Sequence, residues 1–229
     1  MKRDDVITAS NARLIRVGGI SVLLALAIHV YVNGFLKTFP AESLSADALE
    51  AYLSAEAPTW AIVHGMKYVA LVGLVLFAAG AFARTYRSQS GSTNLWGVVG
   101  LLGTSVHVAN ALIANGIEVL AFYDFSRISS SSDNFWLLFF IVRTLFTAEI
   151  VAWGLVIFGF SMAGRSSARI PTWISVLGFL AALGCLLCGA FVVSILNEGR
   201  AVWLINIASM LGLLWFASLG VYILLKGDA

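Results

Sequence analysis

Six stretches of the chain, residues 14–36, 60–83, 95–122, 135–162, 171–196 and 201–225, are almost wholly apolar. About 20 such residues form a helix long enough to cross the ~30 Å hydrocarbon layer of a bilayer. Inside lipid every backbone N–H and C=O must be satisfied without water, and an open sheet cannot do this. No segment shows strand alternation. The expected fold is therefore all-α: a polytopic membrane protein with six transmembrane helices, forming a single domain over residues 1–229. Composition agrees, because only 11% of the residues are charged, against about 25% in a soluble domain. A net charge of +2 with no basic run gives no footprint for nucleic acid. The stretch from Val17 to Leu36 exceeds the ~7–15 residues of a signal-peptide core, so the first span is expected to be retained.

Orientation follows from lysine and arginine, which accumulate on the cytoplasmic side of short loops. With the N-terminus inside, nine of them are cytoplasmic: Lys2, Arg3, Arg13, Arg16, Arg84, Arg87, Arg165, Arg169 and Lys226. Only three, Lys37, Arg127 and Arg200, lie on the other face, and Lys67 and Arg143 fall within spans. Both termini are expected in the cytoplasm. Trp60, Trp96, Trp136, Trp173 and Trp203 each lie near the start of a span, at the headgroup level an amphipathic ring prefers. In the outer loop, residues 37–59, Ser45 reads as an N-cap and Asp47 complements the helix dipole. Leu49, Tyr52 and Leu53 share a face there. A short amphipathic helix lying over the bundle mouth is expected.

The third span contains "HVANALIANGIE", His107 to Glu118. At about 100° per residue, Gly100, Gly103, His107, Asn110, Ala114 and Glu118 fall within one arc of roughly 80°. Small residues on such an arc let a neighbouring helix approach, and the polar ones then face the bundle. Other spans carry polar residues at matching depths: His29 and Asn33, His64 and Lys67, Arg143 with Thr147, Glu149, and Asn206 with Ser209. By depth, His29, His64, Lys67 and Glu118 are expected to share a shallow outer layer, with Glu149 near His107. Ionisable groups in a bilayer cost ~2.5–3.5 kcal/mol each, so they pair or face water. Glu118 is expected to pair with Lys67, and Glu149 with Arg143 or His107. The candidate ligand- or proton-binding set is thus His64, Lys67, His107, Asn110, Glu118, Arg143 and Glu149.

Other chemistry is not expected. Cys185 and Cys188 form a C-x-x-C, but Gly178, Ala182, Cys185 and Gly189 make a small-residue stripe that reads as a packing face. No metal site is expected, and no nucleophile elbow, Walker loop, zincin motif or dinucleotide fingerprint occurs.

The segment "LVIFGFSMAGRSSARIPTWISVLGFLAALG", with Pro171, Trp173, Ile174 and Gly178, resembles a bacterial family of six-helix integral membrane proteins catalogued as a domain of unknown function. In that family a basic cytoplasmic joint leads into a Pro-x-Trp-Ile/Leu helix. "ARLIRVGGISVLLALA" is similar to its opening helix. The resemblance implies a bacterial inner-membrane protein and brings no catalytic residue.

Three functions compete on this reading. The first is a structural or accessory membrane protein, packed against a membrane partner or a second copy of itself. The second is binding or transport of a small molecule or protons through a polar cavity in the outer half. The third is a b-type haem protein, with axial ligands drawn from His29, His64 and His107. An enzyme is not expected, and the sequence narrowly favours the structural role.

Overall fold

The structure is a computed structural model, and it describes residues 3–36, 44–86, 92–123, 132–196 and 202–226. The described residues form helices and no sheet. α1 runs Arg3–Tyr31 and continues into a π-helical turn, Val32–Leu36. α2 is Ala46–Thr85, α3 Leu95–Tyr123, α4 Ser132–Ser167 and α5 Thr172–Ala190. A short α6, Val192–Leu196, precedes α7, Val202–Lys226. Six of these helices are long and apolar enough to cross a membrane, and the chain is a multi-pass helical membrane protein. Consecutive spans pack as neighbours, and α7 closes the ring against α1. The end of the bundle where α1 stops and α2 starts is here called the distal end, and the end where α1 starts and α7 stops the terminal end.

Two expected boundaries are corrected. The short amphipathic helix is not a separate element, because α2 runs unbroken from Ala46 through Pro58 to Thr85. Ser45 does cap it, its hydroxyl accepting a hydrogen bond from the Ala48 N–H at 3.3 Å. Proline lacks an N–H and disfavours a helix interior, but here one apolar face runs across it. Leu49, Leu53, Trp60 and Val63 recur at helical spacing and are all buried in one cluster. That continuous buried face outweighs the single lost hydrogen bond. The fifth span, expected over 171–196, is instead broken at Phe191, a turn residue between α5 and α6.

Two apolar cores result. The larger joins Ile15 and Val22 of α1, Phe77 of α2, Val156 and Phe160 of α4, Ile174 and Cys185 of α5, and Trp215 and Phe216 of α7. The smaller lies at the distal end, where Val32, Leu49, Leu53 and Trp60 meet Phe122 of α3 and Phe135 of α4. Trp60 stacks on Phe122 with ring centres 4.0 Å apart. Cys185 and Cys188 are buried and unbridged within the larger core, as part of its packing face. At the terminal end, Asn94 joins α2 to α4, its Nδ2 donating to the Thr85 carbonyl at 3.0 Å and the Ala163 carbonyl at 2.9 Å.

Close approach of backbones explains the glycines at two seams. On α4, a Cβ at Gly159 would lie 2.3 Å from the Gly100 nitrogen of α3. On α5, a Cβ at Gly178 would lie 1.9 Å from Ser161 Oγ and 2.5 Å from Trp215 Nε1. Between helices in lipid there is no hydrophobic drive, so such contacts supply much of the association energy.

Gly159→Ala should therefore lower the thermal unfolding temperature of the detergent-solubilised protein, by the equivalent of about 1–3 kcal/mol for an overpacked seam. Gly65, with nothing within 4 Å of its Cβ position, supplies the contrast. Gly65→Ala should be neutral, or stabilising by up to about 1 kcal/mol through helix propensity. Equal effects at the two positions would show that the α3–α4 seam is not set by backbone contact.

Candidate functional site

Between the two cores the five helices α1, α2, α3, α4 and α7 leave a cavity of ≈ 310 Å³. Its polar wall is His29 and Asn33 of α1, Lys67 of α2, His107 and Asn115 of α3, Glu149 of α4 and Ser209 of α7. Leu74, Ile150 and Phe216 close it toward the larger core, and Val32 toward the smaller one. The π-helical turn that ends α1 places Val32 and Asn33 at this wall. Asn33 is exposed and donates its Nδ2 back to the His29 carbonyl at 2.9 Å, so the turn marks the rim. Isolated π turns recur at functional sites because they re-aim the side chains around them.

Lys67 links the cavity to a second polar layer. Its ammonium donates to Glu118 Oε2, and it lies over the Phe146 ring at 5.2 Å and the Trp60 ring at 5.9 Å. Glu118 is 1% exposed, and His64 brings Nδ1 to 3.8 Å from the same carboxylate oxygen. His64 also packs on Trp60, with ring centres 5.6 Å apart. This layer ties α2 to α3 on the distal side of the cavity. The expected pairing of Lys67 with Glu118 is what the structure places there, together with His64.

Deeper in the bundle, Trp153 of α4 organises the wall. Its Nε1 donates to His107 Nε2 at 3.0 Å. The ring centres of His107 and His29 lie 5.6 and 5.7 Å from its own. His29 therefore belongs to the His107 layer and not to the shallower layer of His64 and Lys67. The histidines are thus divided between two layers. His107 Nε2 is engaged by Trp153, and His64 packs against Trp60 and Glu118. That division does not suit a haem shared between His64 and either of the other two histidines. Among the described residues no three His, Cys, Asp or Glu are grouped to hold a metal ion.

Two expected site residues, Asn110 and Arg143, are displaced, and so is Asn206 of the wider polar set. Asn110 is half-buried and does not line the cavity, whereas Ala111 and Asn115 do. The inward arc of α3 is centred on His107, Ala111, Asn115 and Glu118, rotated by about 60° from the expected one. Gly100 and Gly103 mislead here, because they face the α3–α4 seam, where Phe160 and Val156 press against them. Arg143 is half-buried and lies outside the cavity wall, its carbonyl accepting from Thr147 Oγ1 at 3.1 Å. Asn206 is exposed, and of the α7 pair only Ser209 reaches the wall. Besides Ala111 and Asn115, sequence reasoning missed Trp153. Unlike the five tryptophans at span edges it lies mid-span, away from any headgroup level, which was the available signal. Comparison of the chain with protein families, curated proteins and solved structures finds no match.

Removing one charge of a buried pair strands the other, typically at about 3–5 kcal/mol. Lys67→Met alone should therefore destabilise the protein more than Lys67→Met combined with Glu118→Gln. A double-mutant cycle read by thermal unfolding in detergent checks this, and additive losses would mean that the two charges do not couple.

Proposed function

We propose that the protein is a bacterial cytoplasmic-membrane protein, with both termini inside, that binds a small polar ligand in the cavity between its two cores. The observation that carries this reading is convergence. Seven polar side chains from five helices share one wall, in spans whose other surfaces are apolar. Polar side chains that served only to cement helices would close on one another, and here they surround space. A ≈ 310 Å³ cavity is at the lower end of small-molecule sites. The rim at Asn33 gives a route from the outer face under the positive-inside orientation. The resemblance of the Pro171–Gly178 segment to a bacterial six-helix family supports the same membrane.

A structural or accessory role is the second reading. The Lys67–Glu118 link and the glycine seams favour it, since both would hold a bundle together whether or not anything binds.

Accessibility separates the two. In a Cys185→Ala, Cys188→Ala background, single cysteines at Ala111 and Asn115 should react with a small charged thiol reagent added from the outer face. Ala114, fully buried and off the cavity wall, should stay inert as a cysteine, because thiol reaction needs solvent access. Absence of labelling in a folded Ala111→Cys protein favours the structural role. For topology, a reporter fused after Ala229 should report cytoplasm, and one inserted at residue 130 the opposite side. Termini on opposite faces would overturn the orientation.

A further inference from the structure

We propose that a groove at the terminal end, between the α4–α5 joint and the end of α7, binds the phosphate headgroup of an anionic phospholipid. The site is separate from the cavity between the two cores and does not depend on it. The groove, ≈ 460 Å³, is lined by Arg165 near the end of α4, by Ala168, Ile170 and Pro171 of the joint, by Thr172 at the start of α5, and by Tyr222 of α7. Two spans end there and a third begins, so the groove lies at the headgroup edge of the bundle.

The first support is charge. Arg165 lines the groove and Arg169 stands in the same joint, both exposed. Neither forms an ion pair among the described residues. The segments that reach this end, residues 11–20, 80–86, 92–100, 160–178 and 218–226, carry Arg13, Arg16, Arg84, Arg165, Arg169 and Lys226 but no aspartate or glutamate. A basic pocket between spans at headgroup level suits an anionic lipid. A guanidinium adds geometry to this attraction, because its planar fork meets two phosphate oxygens at once.

The second support is the rest of the lining. Thr172 and Tyr222 bring hydroxyl donors to the groove. The Tyr222 ring also carries the buried Arg84 guanidinium, 5.8 Å from its centre, which sets a further positive charge beside the site. The start of α5 has no side-chain cap, and its N–H groups add to a preference for anions that the arginines already create.

The third support separates a lipid from a free phosphate. Trp173, Val176, Leu180, Leu183 and Leu187 recur along one face of α5, and each is 38–60% exposed. This apolar face begins beside Thr172 at the groove and continues down the span, so it offers a track for the acyl chains of a lipid whose phosphate is held above. Trp173 marks the headgroup level at its top. A soluble phosphate would use the arginines and gain nothing from this face.

The test is native mass spectrometry of the full chain released from detergent micelles. The protein is titrated with phosphatidylglycerol, with phosphatidylcholine of the same acyl chains, and with glycerol phosphate as the headgroup alone. Phosphatidylglycerol should bind several-fold more tightly than either of the others. Arg165→Gln should weaken it by about fivefold, the effect of one arginine at a membrane surface, and adding Arg169→Gln should weaken it further. Arg165→Lys, which keeps the charge but loses the fork, should fall between the unmodified protein and Arg165→Gln. Arg13→Gln removes the same charge from α1, outside the groove, and should leave binding unchanged. Each variant is checked for an unchanged unfolding temperature, and Arg169→Gln with Arg165→Lys keeps the site testable should Arg165→Gln fail to fold. Equal binding of the two lipids would overturn the proposal. An equal loss in Arg13→Gln would overturn it too, by showing diffuse attraction with no site. Glycerol phosphate binding as tightly as phosphatidylglycerol would overturn the lipid assignment in favour of a soluble phosphate.

Discussion

An ionisable side chain carried into a bilayer has to find an opposite charge, a hydrogen-bond partner or water, and this requirement arranges the interior of the protein. Insertion of such a group costs ~2.5–3.5 kcal/mol at mid-span. The ammonium of Lys67 meets the requirement through Glu118, across the α2–α3 contact, with Trp60 and Phe146 supplying aromatic faces. Because Glu118 is almost fully buried, the pair also fixes the rotation of both helices. Turning either one to lipid would expose a charge. Everything distal to the pair, including the Trp60–Phe122 stack, can then be apolar. Beneath it the spans open onto the cavity and close again in the larger core.

The two cores make that cavity persist. The larger core is held by seams so close that backbones touch, as at Gly159 against Gly100, and such seams cannot slide inward to fill a void. The distal core is roofed by the first turns of α2, which bury Leu49 and Leu53 against Val32. Between them, Trp153 spans the wall from His29 to His107 and donates its own hydrogen to His107. Rigid cores above and below, with polar side chains between, favour a pre-formed site over one assembled on binding.

The fold was legible where the signal is local. Apolar run length placed all six spans, and depth counting brought Lys67 together with Glu118, because rise per residue is nearly constant in any helix. What stayed hidden depends on neighbours. Whether Asn110 or Asn115 faces the cavity is decided by which helices flank α3, and the glycine stripe that seemed to mark the inward face marks the α4 seam instead. The length of α2 was misread because Pro58 and the polar loop ahead of it look like a break, while the buried face of Leu49, Leu53, Trp60 and Val63 becomes visible only with Phe122 and Phe135 in place. His29 was assigned to the wrong layer since depth alone does not say which side chain its ring will touch. Trp153 and Trp215, the two tryptophans away from span edges, were the overlooked clue, and both are core elements of the assembled bundle.

The central claim is that the polar side chains of α1, α2, α3, α4 and α7 enclose space that something other than protein occupies. A high-resolution density map of the protein in nanodiscs tests this most directly. The account predicts ordered non-protein density, water or ligand, within hydrogen-bond distance of Asn115 Oδ1 and bounded by His107, Glu149 and Ser209. A map in which these side chains close on one another, leaving no room for a solvent molecule, would contradict it.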